Sequence, residues 1–194
     1  MFWALSVKRK AWLLSMANVR AAVFASGTGS NFQAIAACPD LACDVALLVC
    51  DRPGAGVIDL AKKLGVPAFV INRDDFVSKT DFEKAILREL EVYKIDWVFL
   101  AGYMRLIGSV LLDEWEGRIV NIHPSLLPAF PGKDGIGDAF RAGAAETGVT
   151  IHYVDSGMDT GEIIAQEKVP ILPEDTEVTL KQRIQQVEHR LYPE

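Results

Sequence analysis

The 194-residue sequence predicts an α/β fold in which a doubly wound, mostly parallel sheet carries helices on both faces. Short apolar runs of strand length alternate with segments of helical periodicity from residue 19 to the end of the chain. Half of the residues are apolar and 24% are charged, which is the composition of an ordinary globular domain. A chain of this length fits one domain built around one sheet.

The predicted strands are rich in β-branched and apolar residues, and several end in a turn that contains Gly, Pro or Asp. They cover residues 19–25, 42–50, 67–71, 95–100, 119–123, 148–154 and 163–171. The last strand alternates apolar and polar side chains, which is typical of antiparallel pairing. The predicted helices cover residues 31–37, 57–64, 80–94, 106–115, 136–144 and 177–191. A capping box from Thr80 to Glu83 marks the start of the third helix.

Residues 19–194 are predicted to form a single domain, and residues 1–18 a loose extension outside its core. The apolar run in the extension is too short for a signal peptide or a membrane span. The net charge of −6 argues against a nucleic-acid or membrane-surface role. The three cysteines have no metal-binding or disulfide spacing, so we expect a cytoplasmic protein without a metal site.

The most informative stretch covers residues 119–131, Ile-Val-Asn-Ile-His-Pro-Ser-Leu-Leu-Pro-Ala-Phe-Pro. Alternate side chains of a strand point to the same face, so Asn121 and His123 are expected to share a site. Pro124 keeps His123 extended at the strand end. An imidazole can transfer a proton and an amide N–H can stabilise an oxyanion, so the pair predicts acyl-transfer chemistry. The alternative is a histidine that only satisfies hydrogen bonds in the core or at the surface.

A glycine-rich turn, residues 27–31, follows the first strand. Gly27, Gly29 and the later Asp51 match part of a dinucleotide-binding fingerprint. The third glycine of that fingerprint would fall at Phe32, and no P-loop lysine follows, so neither NAD nor a P-loop is expected. Backbone N–H groups at a helix N-terminus can still hold one phosphate, and a plain tight turn is the alternative.

An acidic, glycine-rich loop covers residues 155–161. Asp159 is the candidate partner of His123, because a nearby carboxylate stabilises the protonated form of an imidazole. A proton would then be available for a leaving amine near neutral pH. The alternative is that Asp159 is only a turn residue.

Four segments of the sequence stand out together: Ser-Gly-Thr-Gly-Ser-Asn at 26–31, Ala-Gly-Tyr-Met-Arg at 101–105, Asn-Ile-His-Pro-Ser-Leu-Leu-Pro at 121–128 and Met-Asp-Thr-Gly at 158–161. In this order they resemble the folate-dependent formyltransferases, and among them the phosphoribosylglycinamide formyltransferase family. The third segment is specific to folate-dependent formyltransferases and related deformylases, and the first favours the glycinamide ribonucleotide enzymes. The resemblance implies a Rossmann-like formyltransferase fold from residue 19 onward.

The resemblance also implies an enzyme of purine biosynthesis. It would transfer the formyl group of the cosubstrate 10-formyltetrahydrofolate to the amine of N1-(5-phosphoribosyl)glycinamide. His123 would donate the proton, Asn121 would stabilise the oxyanion, and Asp159 would act on His123. The residues implied to bind the ribonucleotide are Gly29, Ser30, Asn31, Gln185, Gln186, Val187 and Glu188. The residues implied to bind the folate are Lys79, Met104, Arg105, Leu106, Ile107, Asn121, Asp155, Ser156, Gly157, Met158 and Asp159.

The sequence departs from the family pattern at three places. Lys79 stands where some members carry an arginine for the glutamate tail of the folate. Residues 133–137 lack the histidines of some members, and the chain stops where relatives usually continue, so a shortened C-terminus is expected. Two alternatives stay open: a 10-formyltetrahydrofolate hydrolase, and a non-catalytic folate or nucleotide binder. We expect small-molecule substrates only, and monomer and homodimer both stay open.

Overall fold

In the computed structural model, which describes residues 19–194, seven strands form one mixed sheet. The strands are β1 (Arg20–Ala25), β2 (Asp44–Cys50), β3 (Ala68–Val70), β4 (Trp97–Leu100), β5 (Ile119–His123), β6 (Glu146–Tyr153) and β7 (Ile163–Pro170). The helices are α1 (Ser30–Ala36), α2 (Gly56–Leu64), α3 (Lys79–Val92), α4 (Ser109–Glu114), α5 (Gly135–Arg141) and α6 (Glu177–Leu191). The predicted extension over residues 1–18 lies outside the described residues.

The strand order is β3-β2-β1-β4-β5-β6-β7. The first five strands pair in parallel, whereas β6 is antiparallel to both β5 and β7. The last strand therefore pairs antiparallel with its neighbour, as predicted, because β6 runs against all the other strands. This mostly parallel sheet with flanking helices agrees with the predicted fold class.

The direction of strand succession reverses next to β1. The chain passes outward from β1 to β2 and β3, then returns to place β4 on the other side of β1. In open α/β sheets, ligands bind beyond the carboxyl ends of the strands at such a switch point. The 27–31 turn follows β1 and the 102–107 loop follows β4, so both border this crevice.

Apolar layers cover both faces of the sheet. Val23 and Phe24 are adjacent in β1 and completely buried, but they pack into different clusters. Phe24 packs with Ile86 of α3, and Val23 packs with Phe32 of α1. A third cluster joins β5, β6 and β7 to α6 through Leu180. Burial on both faces holds the strand ends, and therefore the loops that follow them, in fixed relative positions.

The start of α3 differs from the predicted capping box. Ser78 is the N-cap, and its hydroxyl oxygen accepts the backbone N–H of Asp81 at 3.0 Å. Thr80 lies inside the helix, and Glu83 does not reach back to cap it. The carboxylate of Glu83 is buried and accepts the backbone N–H of Gly108 at 2.7 Å. This contact is with the N-cap of α4, which therefore begins three residues later than the predicted residue 106.

No helix within residues 19–194 has both the length and the apolar character that a membrane crossing requires.

Candidate active site

A cavity of about 850 Å³ opens at the carboxyl ends of β1, β4 and β5. Its walls come from the 27–31 turn, the 102–107 loop, the end of β5 and the polar face of α6. Each of these segments follows or covers a strand end at the switch point, which explains why distant parts of the sequence meet there. This volume lies in the range of cavities that bind small molecules.

Asn121 and His123 lie on β5 and both line the cavity. The antiparallel register between β5 and β6 places Asn121 opposite His152. The amide Nδ2 of Asn121 lies 3.1 Å from His152 Nε2, and His152 Nδ1 lies 2.8 Å from the Tyr153 carbonyl oxygen. Nδ1 therefore carries the hydrogen, and Nε2 accepts one N–H of Asn121. The other N–H of the amide is left for a ligand.

His152 was not among the predicted site residues, although it orients Asn121. Burial lowers the pKa of the His152 imidazole, and this effect outweighs the opposing influence of the Tyr153 carbonyl and of Asp159. A neutral ring with Nε2 free to accept is what the bond to Asn121 needs. In the sequence, His152 stands out only as a polar residue within an apolar strand. Its contact with Asn121 could not be predicted, because it depends on the register between β5 and β6.

His123 is 4% exposed and faces an oxygen atom at each ring nitrogen. Its Nε2 lies 2.8 Å from the Phe130 carbonyl oxygen, and its Nδ1 lies 3.5 Å from Asp159 Oδ2. Asp159 Oδ2 also accepts the backbone N–H of Gly132 at 2.7 Å, which fixes the carboxylate. Each ring nitrogen therefore has an oxygen acceptor facing it, so a hydrogen on either nitrogen would meet an acceptor.

The backbone around His123 is held in uncommon conformations. Phe130 and Asp159 have φ values of 54° and 56°, in the left-handed region that non-glycine residues rarely adopt. These conformations aim the Phe130 carbonyl and the Asp159 carboxylate at the two sides of the ring. Gly135 closes the third side, because a Cβ atom there would lie 2.9 Å from His123 Nε2. Strained backbone of this kind is common where a side chain must be held for function.

The 27–31 turn borders the opposite side of the cavity. Gly29 is the N-cap of α1 with φ 84°, and a Cβ atom there would collide with Val57. Asn31 is buried, and its Nδ2 donates to Glu188 Oε2 at 3.2 Å, while its Oδ1 has no hydrogen-bond partner in the described part of the chain. Burial raises the pKa of Glu188 to about 7. Asn31 and Glu188 both line the cavity, so two polar side chains border the space that is open to a ligand at this side.

The sequence from residue 19 to residue 194 matches the family described as formyl transferase. The phosphoribosylglycinamide formyltransferase of Bacillus subtilis strain 168 is 51% identical over 175 residues, which cover 89% of this chain and 90% of that protein. The chain belongs to the phosphoribosylglycinamide formyltransferase family. This confirms the family that the four sequence segments predicted.

Solved structures of this formyltransferase family share the fold. Glycinamide ribonucleotide transformylase 1 of Geobacillus kaustophilus superposes with a TM-score of 0.89 at 63% identity, covering 91% of this chain and 95% of that one.

The trifunctional purine biosynthetic protein adenosine-3 of Drosophila melanogaster is 44% identical in sequence over 193 residues. The match covers 97% of this chain and 14% of that much longer protein.

The formyltransferase cavity includes most of the remaining predicted site residues. Met104, Arg105, Leu106 and Ile107 line it from the 102–107 loop, and Met158 lies across from them. The cavity continues into a small cleft lined by Asp155, Ser156 and Gly157, which Asn121, His152 and Asp159 also border. The predicted donor-side residues therefore lie together around one end of the cavity.

Lys79 lines the same end at the rim, where its side chain is half exposed. Its ammonium lies 3.7 Å from Glu83 Oε1, so it is partly neutralised by the neighbouring turn of α3.

Two predicted ribonucleotide contacts do not reach the cavity. Gln185 and Glu188 line it from α6, whereas Gln186 is exposed to solvent and Val187 packs against the apolar cluster of β5 to β7. The reason is the helical repeat, because residues three apart share a face and the residues between them do not. Among the described residues, no group of three or more His, Cys, Asp or Glu side chains is arranged to hold a metal ion.

Proposed function

We propose that this chain transfers the formyl group of 10-formyltetrahydrofolate to the amine of N1-(5-phosphoribosyl)glycinamide in purine biosynthesis. The observation that carries the proposal is the cluster of Asn121, His123 and Asp159 on the wall of a cavity that also reaches the 27–31 turn and Glu188. The family membership supports the same reaction.

The reaction is a direct attack of the amine on the formyl carbon, followed by loss of N10. The amine lone pair attacks that carbon, and the carbonyl electrons move onto oxygen to give a tetrahedral intermediate. The N–H of Asn121 that does not bond to His152 stabilises this oxyanion. His123 then gives its proton to the departing N10 nitrogen while the oxyanion re-forms the carbonyl and the C–N10 bond breaks. The added amine loses one proton to solvent, so no net proton is consumed.

Asp159 supports His123 in this scheme without reacting itself. Its carboxylate faces Nδ1 at 3.5 Å and stabilises the positive charge on the ring before the proton leaves. Its position is set by the Gly132 N–H. Because both substrates bring their own reactive groups, no Ser or Cys nucleophile is needed.

The two ends of the cavity suit the two substrates. The backbone of Gly29, Ser30 and Asn31 at the start of α1 suits the phosphate, and Glu188 suits the ribose hydroxyls. Residues 104–107 and 155–159 would enclose the pterin, and Lys79 at the rim would meet the glutamate tail. We propose small-molecule substrates with no nucleic-acid or membrane partner, which the acidic net charge of −6 supports, and a cytoplasmic location; monomer and homodimer both stay open.

The test is the rate at which the purified protein forms tetrahydrofolate, with and without the ribonucleotide, together with an assay of the formylated product. Turnover that requires the ribonucleotide, with one formylated product per tetrahydrofolate, is the expected result. Release of formate at the same rate without the ribonucleotide would instead assign a hydrolase. Binding of folate with no turnover under either condition would leave only a binding protein.

A further inference from the structure

A buried carboxylate outside the cavity holds the 102–107 loop. Asp51 follows β2, is 3% exposed and is absent from the cavity wall. Its Oδ1 accepts the hydroxyl hydrogen of Ser26 at 2.5 Å, and its Oδ2 accepts the Nε–H of Arg105 at 2.6 Å. One side chain thereby ties together the ends of β1, β2 and β4.

The Ser26 hydroxyl passes this constraint on to the backbone of the loop. A hydroxyl has one hydrogen and two lone pairs. Because its hydrogen goes to Asp51, a lone pair is directed to the backbone N–H of Met104, which donates to it at 3.0 Å. The consecutive residues Met104 and Arg105 are therefore both positioned by the same carboxylate, one through the main chain and one through the guanidinium.

Apolar packing fixes this loop at Tyr103, whose ring centroid lies 5.3 Å from that of Phe24, and at Ile107, which is buried, but not at the residues between them. Met104 is 45% exposed and Leu106 is 60% exposed, although both line the cavity. The loop is anchored at its start by the Gly102 carbonyl, which accepts the Ser26 N–H, and after its end by the bond from Gly108 to Glu83. Between these anchors, the bonds that lead to Asp51 are the polar contacts that orient the chain.

We propose that Asp51 is a positioning residue for the formyl donor, which holds the 102–107 loop in its donor-binding shape through Ser26 and Arg105. The inference rests on the proposed function, since it assigns that loop to the folate. Asp51 itself does not touch the donor. In a dinucleotide-binding fingerprint, an acid at this position would bind a ribose hydroxyl. Asp51 is not free to do so, because both of its oxygens already accept hydrogen bonds, from Ser26 and from Arg105.

The test is Asp51→Asn, with the KM values for donor and ribonucleotide measured separately and tetrahydrofolate binding measured by calorimetry. Asparagine keeps the size of the side chain but cannot accept both hydrogen bonds. The KM for the donor and the Kd for tetrahydrofolate should rise about tenfold or more, because a charge-assisted bond is lost. The KM for the ribonucleotide should change less than about twofold. An equal rise in both KM values, or no rise in the donor KM, would overturn the proposal.

The matched control is Asp175→Asn. Asp175 pairs with Arg183 at 2.7 Å, its side chain is 2% exposed, and it does not line the cavity. Loss of this pair should lower stability and leave the donor KM unchanged, so the control separates a general loss of a buried ion pair from an effect on the loop. A donor KM that rises equally in both variants would also overturn the proposal.

Ser26→Ala tests whether Asp51 acts on the loop through the Ser26 hydroxyl. This variant can be measured even if Asp51→Asn does not fold. It should raise the donor KM alone, and the double variant should lose no more donor affinity than Asp51→Asn, because the two residues act in one chain of bonds. Fully additive losses of donor affinity would show that Ser26 and Asp51 act independently, and would refute this chain of hydrogen bonds. If the wild-type protein forms no formylated product, the proposed function fails, but the comparison of tetrahydrofolate Kd values still decides the role of Asp51.

Discussion

Replacing Gly135 by alanine tests where the proposed proton donor is held. The added Cβ atom would lie 2.9 Å from His123 Nε2 and 3.0 Å from the Phe130 carbonyl oxygen. Ordinary contacts are about 3.5–4.0 Å, so the ring or the carbonyl has to move by several tenths of an ångström. The backbone of Gly135 lies outside the left-handed region, so the clash is the main consequence of the change.

The size of the effect follows from two opposing contributions to stability and one to catalysis. Alanine in α5 gains about 1 kcal/mol of helix propensity, and overpacking costs about 1–3 kcal/mol, so the free energy of unfolding should fall by roughly 1 kcal/mol. The imidazole, pushed away from Phe130, would no longer meet the leaving nitrogen correctly. Misplacement of a catalytic group on this scale lowers kcat by about 10²-fold.

The assay is kcat and both KM values for Gly135→Ala, with denaturant unfolding measured in parallel. Gly137→Ala is the control, since it is a buried glycine two residues further along α5. The atoms nearest to its Cβ atom would be the ends of the Asp134 and Arg141 side chains, which are more than half exposed and can move. Near-normal turnover is expected for the control. Wild-type kcat in Gly135→Ala, or an equal loss in Gly137→Ala, would refute the reasoning.

Three further predictions concern the proton donor, a titrating carboxyl and a buried hydroxyl. His123→Ala should lower kcat by about 10²-fold or more with tetrahydrofolate affinity nearly unchanged, and turnover at the wild-type rate would exclude the proton-donor role. Burial raises the pKa of Glu188 from 4.5 to about 7, so its contribution to stability is full below pH 4.5 and is lost as the pH rises through about 7. Urea unfolding from pH 4.5 to pH 8 should therefore show the wild type losing roughly 3 kcal/mol relative to Glu188→Gln, whereas parallel pH curves would contradict this. The Tyr192 hydroxyl lies 3.0 Å from the carbonyl oxygens of Leu100 and Val120. Tyr192→Phe should therefore lower the free energy of unfolding by about 1–2 kcal/mol with normal turnover, and a change below about 0.5 kcal/mol would argue against this contact.

The fold class and much of the candidate site could be predicted from residues that are close in the sequence. The two-residue period of β5 indicates that Asn121 and His123 share a face, and the 27–31 turn between a strand and a helix indicates a ligand-facing loop. Both line the cavity in the structure. The chemistry of these side chains together with the four family segments predicted the family, and the family comparisons confirm it.

Other features depend on contacts between distant segments and could not be predicted in the same way. Both Ser78 and Thr80 are acceptable N-caps for α3, and Glu83 decides between them by bonding to Gly108 on another helix. Gln186 and Val187 lie in the predicted ribonucleotide segment, but the packing of α6 on the sheet turns them away from the cavity.

The sequence by itself determined the order of strands and helices, the strand face that carries Asn121 and His123, and the family. These follow from side-chain periodicity and stereochemistry, which are properties of neighbouring residues. Only the tertiary structure decided that His152 orients Asn121, that Asp159 reaches His123, and that Asp51 reaches Arg105. Each of these pairs is separated by 31 to 54 positions in the chain, so its contact depends on how strands pair and loops pack across the whole sheet.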